Sequence, residues 1–167
     1  MALKKYATIF QRNGLPKNEA EESILNEAVR LTNNEDYYNV IQLLENLLKE
    51  NNNLIDAYTY LAFSKFMTGD KQKAEYYFCK AIAINKYDFR IFYHRGMMYD
   101  QLREYNKALL DYSMAIELND ELTDIYFNRA IIYIDTGDRE KALLDIQRLE
   151  ELGDPQVSQI QIGLIFC

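Results

Sequence analysis

Apolar residues in this chain recur at intervals of three and four, and that pattern itself recurs every 34 residues. From Glu21 the sequence falls into four gapless blocks, 21–54, 55–88, 89–122 and 123–156. Position 4 of a block is Ile24, Tyr58, Phe92 or Tyr126, and position 8 is Ala28, Ala62, Gly96 or Ala130. Position 20 is Val40, Ala74, Ala108 or Ala142; position 24 is Leu44, Phe78, Tyr112 or Ile146; position 27 is Leu47, Ala81, Ala115 or Leu149. Positions 4 and 8 lie one turn apart on a first helix, and 20, 24 and 27 form one stripe of a second. A small residue at 8 facing one at 20 lets two helix backbones approach closely, with the large side chains at 4 and 24 filling the space beside them. Each block is therefore predicted to be a pair of antiparallel helices.

Breaker residues mark the boundaries. Gly69-Asp70 and Gly137-Asp138 stand between the two helices of their blocks, where glycine reaches positive φ without penalty. The third block has Arg103-Glu104 there, so its turn must form without glycine. The second helices end at Asn51, Asn85, Asn119 and Gly153, residue types suited to a left-handed C-terminal cap.

Composition narrows the class. The chain has 167 residues, enough for one domain, and 49% of them are apolar with only 6 Gly and 2 Pro, which excludes collagen-like and disordered chains. A net charge of −7 argues against nucleic acid as a main partner, because phosphate binding needs Lys and Arg. Apolar runs are far shorter than the ~20 residues a membrane span needs, so membrane insertion is not expected. Two cysteines, Cys79 and Cys167, make no disulfide framework, and no apolar leader follows the basic pair Lys4-Lys5. A reduced, cytoplasmic protein is the reading. Cys79 has no His or Asp at catalytic or metal spacing, there is no GxxxxGK phosphate loop, and Asp70, Asp138 and Glu140 sit where solvated caps belong. The chain is read as a non-enzyme with no cofactor and no metal.

The columns resemble the tetratricopeptide repeat (TPR) family, helix–turn–helix units of 34 residues, over 21–156. The family pattern asks for a large residue at 4, Leu at 7, Gly or Ala at 8, Tyr at 11, Ala at 20, an aromatic at 24, Ala at 27 and Pro at 32. This chain departs at 7, where Glu27, Arg95 and Arg129 replace Leu, and at 32, where Asn52, Lys86, Asp120 and Asp154 replace Pro. The resemblance implies an all-α, right-handed α-solenoid with the first helices lining a concave groove. Groove positions 2, 5, 6 and 9 would place Leu25, Asn26, Val29, Tyr60, Phe63, Arg90, Tyr93, His94, Met97, Phe127, Asn128 and Ile131 on that face. Positions 5 and 9 would then make an apolar stripe framed by amides, a surface for a protein segment with apolar anchors. Alternatively these residues pack against neighbouring first helices, or the chain's own ends fill the groove. The cationic clamp by which some family members hold the acidic C-terminal peptide of heat-shock chaperones is absent: Leu25, Val29, Tyr60, Arg90 and His94, or Thr59, Phe63, His94, Asp124 and Asn128, stand at its positions. His94 is read as a groove-wall side chain, with a pH-sensitive role as the alternative.

The implied function is a non-enzymatic protein-interaction adaptor. The alternative is a cytoplasmic secretion-system chaperone for apolar exported proteins, which the small size, low pI and greasy groove also suit.

Two ends stand outside the repeats. Residues 1–20 place Leu3, Tyr6, Ala7 and Phe10 on one face of a short helix stopped by Asn13-Gly14, with a restart at Pro16, and read as a capping or dimerisation helix. Residues 157–167, VSQIQIGLIFC, form an apolar tail. Either end could fold back on the repeats or mediate self-association.

Overall fold

The computed structural model describes residues 18–155 and 157. The N-terminal stretch with Leu3, Tyr6, Ala7 and Phe10, and the tail beyond Val157, lie outside them. The described residues form eight α-helices and no strand: α1 Glu19–Asn33, α2 Tyr37–Glu50, α3 Ile55–Met67, α4 Lys71–Ile84, α5 Phe89–Gln101, α6 Tyr105–Leu118, α7 Thr123–Asp135 and α8 Arg139–Glu151. Starts repeat every 34 residues, at 55, 89 and 123 for first helices and at 37, 71, 105 and 139 for second helices. The chain divides into two compact units, Met1–Tyr87 with α1–α4 and Asp88–Cys167 with α5–α8. In each unit, each first helix packs on the second helix of its pair, and the second helix of one pair packs on the first helix of the next.

The columns that define the repeat are the core. At positions 20, 24 and 27, no side chain is more than 4% exposed, and Ala28, Ala62, Gly96 and Ala130 at position 8 are all buried. Each fully buried large residue such as Leu44 or Phe78 contributes about 1.5–3 kcal/mol of apolar burial. In the first unit this core runs from Leu25 and Ala28 through Val40, Leu44 and Leu47 to Ala57 and Leu61. In the second, Tyr126, Ala130, Ile146 and Leu149 meet, with Val157 packed against them.

All four intra-pair turns close with one hydrogen-bond pattern. Asp36, Asp70, Glu104 and Asp138 each donate their backbone N–H to the carbonyl five residues earlier, at 2.8–2.9 Å. The residue before each is left-handed: Gly69 at φ 89 and Gly137 at φ 80, but Glu35 at φ 61 and Arg103 at φ 56. The third turn is thus made without glycine by placing an arginine in a backbone region that costs an L-residue about 1–2 kcal/mol. Asp36, Asp70 and Asp138 then cap the following helices, accepting from the N–H three residues on.

The asparagine ends differ from the left-handed caps the sequence predicts. Asn51, Asn85 and Asn119 have extended backbones, φ −136, −147 and −155. Each instead turns its side-chain oxygen to the N–H two residues on, of Asn53, Tyr87 and Glu121, at 3.0–3.2 Å. An Asn side chain can mimic a backbone turn in this way, and here that bond wins over the αL option. Only Gly153 among the four is left-handed, at φ 72.

Candidate protein-binding site

The twelve residues predicted for a groove divide sharply by exposure. In the first unit, Leu25 of α1 and Tyr60 and Phe63 of α3 are buried, Val29 is half-buried and Asn26 is exposed. In the second, Arg90, Tyr93, His94 and Met97 of α5 are all at or below 5% exposure. Phe127, Asn128 and Ile131 of α7 are half-buried. Position 5 and 9 residues therefore do not make one uniformly exposed stripe. The accessible part of the second unit's face is on α7, where Phe127 and Ile131 lie one turn apart with Asn128 beside them.

The cause is visible in the helices themselves. Helices α3 and α5 are buried around most of their circumference, polar residues such as Thr59, Ser64, Arg90 and His94 included, with nine and eight buried residues respectively, whereas α1 has two and α7 four. A helix enclosed on most sides turns little of itself to solvent, so its groove positions become core. Burial at a repeat position is thus set by what surrounds that helix, which the repeat column does not encode.

The arginines of α5 and α7 are matched to partners. Arg95 donates Nε and Nη2 to Asp111 of α6, both at 2.7 Å. One repeat later Arg129 makes the same two-pronged contact with Asp145 of α8, at 2.9 and 2.6 Å, and its Nη1 reaches Ser113 Oγ at 3.0 Å. The guanidinium groups also lie over Phe92 and Tyr126, 5.7 and 5.8 Å from the ring centroids. Asp111 and Asp145 are 2% exposed, so these are bidentate pairs shielded from water. In the first unit Lys65 of α3 pairs with Glu45 of α2 at 2.7 Å. Arginine at position 7 is therefore half of a helix-clamping pair whose other half is Asp at position 23. Its signal in the sequence is Arg and Asp sixteen residues apart in two consecutive blocks.

His94 is 1% exposed, and burial first, then the neighbouring Arg90 charge, push its pKa down to about 3. It is neutral at physiological pH. Arg90 forms an ion pair with Asp88 at 2.5 Å, which leaves neither as a loose charge on the α5 face. Asp100, near the C-terminal end of α5, has its pKa raised by burial and by Asp135 at the end of α7. Cys79 is an exposed free thiol on α4. Among the described residues no group of three His, Cys, Asp or Glu side chains could hold a metal ion, and no helix is long and apolar enough to cross a membrane.

Residues 89–122 and 123–152 each match a family model described as tetratricopeptide repeat. No curated protein sequence matches the chain. Among solved structures, the crystal structure of MamA is similar at 23% identity and TM-score 0.72, over 82% of this chain and 80% of that one. A structure of PilF from Pseudomonas aeruginosa is 16% identical with TM-score 0.79, over 89% of this chain and 68% of its own. A MamA fragment from Desulfovibrio magneticus RS-1 is 19% identical with TM-score 0.69, over 81% of this chain and 76% of its own. The likenesses show an all-α fold of the helical-repeat, solenoid class.

Proposed function

We propose that this chain, a tetratricopeptide-repeat protein, is a non-catalytic protein-interaction adaptor that holds a partner segment on the faces of its first helices. The observation that carries the reading is on α7, where Phe127 and Ile131 stay half-exposed although the core beneath them, Tyr126 and Ala130, is closed. A half-buried aromatic and a β-branched residue one turn apart, with an amide between them, suit an incoming apolar side chain and one backbone hydrogen bond. Asn26 and Val29 on α1 offer a similar, smaller combination in the first unit. The side chains of α3 and α5 serve as the rigid floor of their units. The exposed free thiol of Cys79 fits a reducing compartment such as the cytoplasm.

The test is affinity capture followed by mass spectrometry, comparing wild type with Phe127→Asp. Loss of specific partners from a variant with unchanged helical circular dichroism is the expected result. Capture of the same partners by both proteins sinks the reading.

A further inference from the structure

Helices α2, α3 and α4 of the first unit line an open pocket of about 240 Å³. Its walls are largely tyrosine. Tyr58 and Tyr77 stand 6.1 Å apart with their rings tilted by 30°, and Tyr76 meets Tyr77 edge to face at 5.2 Å. Tyr76 is 54% exposed, a large ring left in solvent at the pocket. The volume lies below the roughly 300–1,000 Å³ of small-molecule sites and suits a single side chain of a peptide.

The same place two repeats later is full. There Tyr126 stands for Tyr58, Arg129 for Leu61, Asp145 for Tyr77 and Ser113 for Glu45. Arg129 lies over the Tyr126 ring at 5.8 Å and is held by Asp145 and Ser113. Leu61 has no planar head group to lay over the Tyr58 ring, and Tyr77 brings no carboxylate to hold one. The first unit thus keeps open a space that the second fills with its own side chain.

Charge and hydrogen bonding limit what can enter. Glu45 is held by Lys65 at 2.7 Å, so the carboxylate of the lining is already neutralised. Lys49 lies in the lining and the Lys80 ammonium stands 5.3 Å from the centre of the Tyr76 ring, so a further cation is repelled. The hydroxyls of Tyr58, Tyr76 and Tyr77 make no hydrogen bond among the described residues, and burial, then Glu45, raise the Tyr77 pKa and keep that phenol protonated. The pocket therefore offers aromatic faces and hydroxyl donors. A matching ligand is an uncharged apolar ring flanked by carbonyl acceptors. Proline meets this description: it has no backbone N–H, and in a polyproline-II helix its carbonyls make no internal hydrogen bonds. Such a helix arrives already ordered, so docking it on aromatic rings costs little conformational entropy.

We infer that the tyrosine pocket of α2, α3 and α4 binds a proline of a polyproline-II segment in a partner protein, its ring against Tyr58, Tyr76 and Tyr77 and a neighbouring carbonyl accepting from a tyrosine hydroxyl. The site belongs to the first unit and does not depend on the reading of α7.

Fluorescein-labelled nonapeptides test it by fluorescence anisotropy at physiological salt, with nonaproline set against Gly–Ser, Gly–Arg and Gly–Glu repeats. Nonaproline is expected to bind the wild type about tenfold more tightly than each of the others. Tyr76→Ser is expected to lose about tenfold for nonaproline and, at an exposed position, to leave the urea midpoint unchanged. A Tyr58→Phe, Tyr77→Phe double variant keeps the rings, removes two donors and is expected to lose about tenfold as well. Phe127→Asp is expected to bind nonaproline as the wild type does. Equal binding of nonaproline and Gly–Ser, or no binding of any peptide, overturns the inference and leaves the capture experiment on α7 to stand by itself. Tighter binding of Gly–Arg would mean that Tyr58 takes a guanidinium as Tyr126 does, and tighter binding of Gly–Glu that the lysines take an anion; either result overturns the proline site. Full binding by either tyrosine variant, or lost binding by Phe127→Asp, overturns it too, because the peptide is then held elsewhere.

Discussion

Arg129 and Asp145, sixteen residues apart and on facing helices, form a two-pronged ion pair inside the last helix pair, with N–O distances of 2.9 and 2.6 Å. The Asp145 side chain is 3% exposed and Arg129 is 17% exposed. Arg95 and Asp111 reproduce the pair one repeat earlier. Where the family pattern has a leucine at position 7, these two repeats replace one apolar contact with a charged clamp across the same gap.

Such a pair is costly to break and cheap to replace as a unit. Asp145→Ala should destabilise the protein by about 3–5 kcal/mol, because it strands a partly buried guanidinium. The double variant Arg129→Met, Asp145→Leu should lose much less than the single one, since both charges leave together. Urea unfolding of both variants gives the comparison. A double variant as unstable as the sum of two single losses would show that the ion pair is not the unit that matters.

Gly96 faces the ring of Tyr112 so closely that a Cβ there would lie 2.8 Å from two ring carbons. Tyr112 is fully buried and has nowhere cheap to go. Alanine normally gains about 1 kcal/mol over glycine in a helix interior. Gly96→Ala should nevertheless destabilise, by about 1–3 kcal/mol of overpacking set against that gain. In a Tyr112→Leu background the sign should reverse, because the next repeat pairs Ala130 with the smaller Ile146 at the same positions. Unfolding midpoints of the four proteins decide it, and a stabilising Gly96→Ala in the wild-type background would refute the packing account.

Arg103 holds a left-handed backbone at φ 56, in the turn position that Gly69 and Gly137 occupy elsewhere. Glycine removes the strain of about 1–2 kcal/mol but makes the unfolded chain more flexible. Arg103→Gly should give a net gain of about 0.5–1 kcal/mol and a higher Tm. Gly137→Arg should show the opposite change. Thermal melts of the two variants settle the sign.

Features set by contact geometry are legible in the amino-acid sequence, and features set by a residue's surroundings are not. The columns Ala28 to Ala130 and Leu44 to Ile146 can be read directly, because helices that pack closely require small against large at fixed spacing. The all-α class and the helical-repeat fold follow from them. The caps at Asn51, Asn85 and Asn119 depart from the sequence expectation because one residue type offers two ways to end a helix, and only the backbone angles choose between them. The Arg95–Asp111 clamp lies in the sequence as an ordered pair of columns, but a departure from a family pattern draws the eye to the missing leucine and not to its partner sixteen residues on. Exposure of the proposed binding face is not readable at all. Position 9 is Phe63 at 7% exposure in one repeat and the half-buried Ile131 in another, and nothing in the column distinguishes them.

His94 turns burial into a dependence of stability on pH. Its pKa falls from the ordinary histidine value of 6.5 to about 3 in the folded protein, chiefly by burial and then by Arg90, with Asp88 acting the other way. Between those values the unfolded chain binds a proton that the native one refuses, so stability is full above pH 6.5 and falls as pH drops towards 3. The slope from this one group is about 1.4 kcal/mol per pH unit below the unfolded pKa. His94→Gln keeps a polar side chain of similar size without a titrating proton. Its urea midpoint should change less than that of wild type between pH 7 and pH 5, in a window above the titration of ordinary carboxylates. Parallel lines for the two proteins across that window would mean that His94 takes up its proton in the folded state, and that the burial argument for a neutral imidazole is wrong.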